Sequence, residues 1–139
     1  MTPLDLTVAA PRSPYETLGV VVMLARTIDK FRAAMPGGNL GAYNIAGFSA
    51  RLLNTLEIAE DAFAQRVAAA ERDEEIAEWV MSATTAEQRE RAASELHALT
   101  IGDRLESEAF RAKYPVAATL TRDTAIFDLL LADDAAAFA

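Results

Sequence analysis

The chain contains no cysteine. That absence removes disulfides, thiolate nucleophiles, zinc–cysteine sites and iron–sulfur clusters together. It contains one histidine, His97. Di-iron sites in helical proteins draw on two Glu-x-x-His pairs, so a lone histidine argues against them. No EF-hand spacing appears, and no metal or cofactor is expected. Basic residues are also scarce: 13 Lys and Arg stand against 21 Asp and Glu, for a net charge of −8. Such a chain repels phosphate backbones and lacks the basic amphipathic face that binds anionic membranes, so neither nucleic acid nor membrane is an expected partner. The longest apolar run, Leu18 to Ala25, falls well short of the roughly 20 residues that span a bilayer. The opening MTPLDLTVAA has no basic region ahead of an apolar one, as a signal peptide would. A cytoplasmic location is the resulting expectation.

What the chain does have is alanine and helical periodicity. Its 139 residues are 52% hydrophobic, a figure raised by alanine, which favours helix. The expected fold is all-α: a single domain over residues 1–139, a compact bundle of about six helices with an extended N-terminal arm packed on it. Residues 1–12 form the arm, because Pro3, Pro11 and Pro14 discourage helix. Leu4, Leu6 and Val8 alternate with Asp5 and Thr7 and could lay one face on the body.

In PRSPYETLGVVVMLARTIDKFRA, residues 11–33, Ser13 suits an N-cap, Pro14 the first helical position, and Glu16 completes S-x-x-E. A first helix is therefore expected from Ser13 until Pro36-Gly37-Gly38 stops it. Residues 37–48 form a glycine-rich loop holding four of the six glycines. It lacks the lysine and serine of a phosphate-binding loop, and its plain reading is a turn passing close to the first helix. Further helices are expected from a Ser49 cap through Leu56, from about Glu60 to Glu71, from an Asp73 cap through Val80, and from a Thr85/Gln88 or Thr84/Glu87 box to Gly102. Two more cover residues 107–118, interrupted by Pro115, and residues 125–132. No pair of strands is expected.

Several segments taken in order, DLTVAAPRSP, LG, LARTIDKFRA, LGAY, LEIAEDAF, RDEEIAEWV and TRDTAIFDLLLADD, resemble a bacterial family of small helical proteins known only as domain of unknown function family 5069. The resemblance covers nearly the whole chain. It implies an all-helical fold and no particular activity. The chain departs from the family pattern at Val20, where a second glycine is usual, and at Gly47-Phe48-Ser49-Ala50, where a polar Cys-Pro-Leu-Asp-like element is usual. It departs again at Ile126, in place of tryptophan, and at Leu131, in place of aspartate. Two readings of these changes stay open: a family site lost, or a pocket remodelled for a less polar molecule.

The candidate site residues follow from their chemistry. Arg26, Asp29, Lys30 and Arg32 are neighbours at helical spacing. They could be exposed pairs near a helix C-terminus, which contribute little. They could be a buried group in which Arg12 folds back from the arm to pair with Asp29. Or Arg12 and Arg26 could hold an anionic ligand. Asp29 is expected to be paired and partly buried, since its helix is apolar on most sides. Tyr43 and Asn44 offer a phenol and an amide for a neutral ligand, or else simply shape the loop. The ligand-binding candidates are thus Arg12, Arg26, Tyr43 and Asn44. The catalytic candidates are Asp29 or His97 as base and Tyr43 as acid. The acidic run Glu71 to Glu78 is most simply a helix start favoured by its dipole. Three functions compete: a small-molecule-binding domain with its pocket between the first helix, the glycine-rich loop and the C-terminal helix; a cofactor-independent isomerase, cyclase or lyase; and a homodimeric interaction module built on Leu129, Leu130, Leu131 and Phe138.

Overall fold

The computed structural model describes residues 1–139. Its contacts divide into two compact units, Met1–Ala93 and Ser94–Ala139. The chain is mostly helical, but it is not strictly all-α.

The departure lies in the most patterned stretch of the sequence. Ser13, Pro14 and Glu16 do not open a helix. The Ser13 Oγ accepts the Tyr15 N–H at 3.1 Å and its carbonyl accepts the Glu16 N–H at 3.1 Å, which makes an isolated turn. An antiparallel ribbon follows, β1 (Thr17–Leu18) against β2 (Val21–Val22), with Thr17 opposite Val22 and Leu18 opposite Val21. Gly19 takes φ +60° at the first position of the two-residue turn between them, the geometry that suits a tight hairpin. The β-branched run Val20-Val21-Val22 favours strand over helix. Met23 then takes φ 68°, unusual for a side chain of its size, and is fully buried. This sharp bend starts helix α1 at Leu24, so α1 spans Leu24–Ala34.

Helix α1 packs against β1 and against α2 (Phe48–Thr55), α3 (Glu60–Ala69) and α4 (Asp73–Ala83). Leu24, Ile28, Leu52, Leu53, Phe63, Val67, Ile76 and Val80 are fully buried and make the core of this unit. Phe31 meets Phe63 edge-on, with ring centroids 4.8 Å apart. Ser49 does not cap α2, which begins one residue earlier. It is buried, with its Oγ 3.0 Å from Thr27 Oγ1, so it ties α2 to α1 by a polar contact inside the core. Asp73 is likewise the first residue of α4 and not its cap. The cap position is Arg72, and the Glu75 carboxylate accepts the N–H groups of Glu71 at 2.6 Å and Arg72 at 3.4 Å. Those bonds hold the Glu75 carboxyl below its ordinary pKa.

The arm lies along the C-terminal end of α1. The Leu6 N–H donates to the Asn39 carbonyl at 2.8 Å, the Asn39 N–H to the Leu4 carbonyl at 2.9 Å, and the Arg32 Nε to the Thr2 carbonyl at 2.8 Å. Leu6 and Pro11 are the buried residues of the arm, whereas Val8 is 74% exposed. Gly38 follows α1 so closely that a Cβ there would stand 2.5 Å from the Ala33 carbonyl oxygen. Backbone cannot yield as a side-chain tip can, so this position excludes any larger residue.

Helix α5 (Ala86–Ala98) opens with the Thr85/Gln88 box: the Thr85 N–H donates to Gln88 Oε1 at 2.8 Å and the Gln88 N–H to Thr85 Oγ1 at 3.1 Å. In the second unit, Ile101 and Ile126 bond to the carbonyls of Thr124 and Leu99, pairing the Thr100 and Ala125 segments. Helix α6 (Glu108–Lys113) is capped by the Ser107 hydroxyl, and Pro115 then opens a short 3₁₀ turn through Thr119. Helix α7 runs over Ile126–Ala137, five residues beyond the expected end, carried on by alanines. Leu129 and Leu130 are buried on it. Only Leu131, at 38%, and Phe138, at 39%, remain exposed, so the expected four-residue apolar surface is reduced to two. No helix is long and apolar enough to cross a membrane.

Candidate functional site

Two features of the first unit bear on function: a charged clamp and an open groove. The clamp is built on the first half of α1. Arg26, Asp29 and Lys30 are 1%, 5% and 6% exposed, which overturns the reading of these residues as solvated pairs. Arg12 comes back from the arm to meet them. Its backbone N–H donates to Asp29 Oδ2 at 2.8 Å, its Nε to the same oxygen at 3.1 Å, and its Nη2 to Asp29 Oδ1 at 3.0 Å. Its Nη1 donates to Asp73 Oδ2 at 2.7 Å. The Arg12 carbonyl accepts from Arg26 Nη1 at 3.2 Å, so both faces of this one residue's backbone are engaged by α1.

Partial burial works against the Arg12 cation. Hydrogen bonds to Asp73 and Asp29, together with their negative charge, outweigh that cost and hold its pKa above the ordinary arginine value. The bidentate fork of arginine suits this task as lysine would not. Asp29 is consequently saturated by one guanidinium and one N–H. That leaves it poorly placed to accept a proton from a substrate.

Tyr43 stands over this cluster, its ring centroid 5.7 Å from the Arg26 guanidinium carbon. Asn44 is exposed in the loop beside it. Of the residues singled out from sequence, then, Arg12, Arg26, Asp29 and Tyr43 come together. His97 belongs to the second unit, in the last turn of α5, where it is exposed and meets the Phe127 ring edge-on at 5.0 Å. The sequence marks Asp73 only as a helix start. Its role as a partner of Arg12 carries no local signal, because a first-turn aspartate is already accounted for by the dipole.

The groove has a volume of about 510 Å³. One wall is the C-terminal end of α1, with Phe31, Ala34, Met35 and Pro36. The other is a stripe of α3 at helical spacing, Glu60, Asp61, Ala64, Gln65 and Ala68, and Ile45 of the glycine-rich loop closes one side. A pocket was expected between the first helix, the loop and the C-terminal helix; in this groove α3 supplies the third wall. None of Arg12, Arg26, Tyr43 and Asn44 lines it. The alanines at 34, 64 and 68 explain why it stays open: side chains this short cannot fill the space between two helices. The repeat of small and polar residues along the outer face of α3 was the signal available in the sequence. A second hollow of about 290 Å³ lies beside Val20, with Ala86, Arg89, Glu90 and Ala93 around it. No group of three or more His, Asp or Glu side chains converges as a metal site.

No curated protein matches the chain. A family model matches residues 8–136, which spans the arm from Val8, the clamp, the groove and nearly all of α7. The chain belongs to the family described as Domain of unknown function (DUF5069).

Proposed function

We propose that the first unit binds a small, largely apolar molecule in the groove between α1 and α3. The observation that carries this reading is the groove itself. Its volume of about 510 Å³ lies in the range of small-molecule sites, and it combines apolar walls with a few polar groups, Glu60, Asp61 and Gln65. Its floor is rigid, because Phe31 rests edge-on against the buried ring of Phe63. The enzyme reading has less support: its best base, Asp29, is committed to Arg12. The clamp serves the groove indirectly, by holding the arm and the start of α4 to the helix that forms one wall.

The test is titration with N-phenyl-1-naphthylamine, a neutral probe that fluoresces in apolar surroundings. Wild-type protein should bind it saturably. Ala64→Phe fills the groove from a half-buried surface position and should weaken binding by about tenfold or more, a loss of about 1.4 kcal/mol, with an unchanged melting temperature. Ala68→Phe serves as a second block one turn further along. Binding that is absent in the wild type, or equal in both variants, would sink the proposal.

A further inference from the structure

We infer that the groove's ligand carries a cationic head, of the aliphatic amine class, on its apolar body. This rests on the binding reading above and adds the charge of the molecule to it.

Every charged residue lining the groove is acidic. Glu60 and Asp61 stand side by side in the first turn of α3, both exposed and both facing the cavity. The N-terminus of α3 contributes an opposing partial positive charge of roughly half a unit, which two carboxylates exceed about fourfold. One Asp61 oxygen accepts the Ala62 N–H at 2.8 Å. The basic residue nearest in sequence on this helix, Arg66, is drawn off onto the Trp79 ring, 4.9 Å from its centroid. Arg32, on α1, donates its Nε to the Thr2 carbonyl of the arm and does not line the groove. Gln65 lies one turn beyond Asp61 and adds an amide oxygen on the same wall. Phe31, Met35 and Ile45 supply apolar surface in the same groove. The arrangement complements an amphiphile with a protonated nitrogen between Glu60 and Asp61 and a hydrocarbon part along α1. It disfavours a carboxylate, which would meet two like charges and a net charge of −8 on the whole chain.

Octylamine, 1-octanol and octanoate share one hydrocarbon tail and differ in head charge. Each would be used to displace N-phenyl-1-naphthylamine from the wild-type protein, at low and at high salt. Octylamine should compete about five- to tenfold better than the alcohol at low salt, as two exposed ion pairs allow. Octanoate should compete worst. The preference should shrink in high salt and vanish in the Glu60→Gln/Asp61→Asn double variant, with octanol binding retained. Equal competition by all three, or a preference for octanoate, overturns the inference while leaving an apolar groove in place. Failure of the probe itself to bind the wild type removes the groove reading first and this inference with it.

Discussion

Arg12→Met should destabilise the protein by about 3 kcal/mol in urea unfolding, and Asp29→Asn by more than about 2 kcal/mol. The reason is asymmetric. The Arg12 side chain is 30% exposed, so it can recover some hydration when its partner is lost, whereas Asp29 is only 7% exposed and cannot. Removing the arginine therefore strands a carboxylate on a helix otherwise turned toward the core, and such uncompensated charges are among the costliest single changes. Asparagine at position 29 keeps an acceptor for the Arg12 N–H but loses the charge and one of the two oxygens that receive the fork. The double variant Arg12→Met/Asp29→Leu should recover much of the loss, because neither charge is then stranded. Losses below about 0.5 kcal/mol for both single variants would mean that the clamp is a surface ion pair.

Phe63→Ala should cost about 3–5 kcal/mol. The ring is fully buried, stands edge-on to Phe31 at 4.8 Å and lies 6.2 Å from the Trp79 ring, so truncation empties space that three elements share. Phe63→Leu keeps most of the volume and should cost less than half as much. Guanidinium unfolding of the two variants, with an unchanged denaturant slope, reads the difference directly. A loss below about 1 kcal/mol for the alanine variant would show that α1 and α3 collapse onto the vacancy. The prediction matters beyond stability, because this ring supports the floor of the groove.

What could be read from the sequence, and what could not, divides by distance along the chain. The Thr85/Gln88 box and the break at Pro115 are local chemistry, and each acts where its residues stand. The pairing of Asp29 followed from a physical constraint on a charge carried by an apolar helix. The stretch from Ser13 to Met23 misled because a capping signal only competes with its surroundings. Here a glycine at φ +60° and three consecutive valines turned the same residues into a ribbon. Asp73 lies 61 residues from its partner Arg12, and no periodicity reports such a contact. The groove is a space left between two helices, and its one signal, the small residues Ala64 and Ala68 on α3, does not stand out in a chain rich in alanine.

The 61-residue span between Arg12 and Asp73 also bears on time. During synthesis Arg12 emerges long before α4, so its bond to Asp73, unlike those to Asp29, closes only after the chain between them has been made. Contacts made that late are largely absent from the folding transition state, and they govern the rate of opening more than the rate of formation. The unfolding limb of the Arg12→Met chevron should shift to faster rates with its slope unchanged, while the refolding limb stays close to wild type. In that light the arm is a latch on the lifetime of the native first unit: it lets the unit form without delay and then makes it slow to come apart.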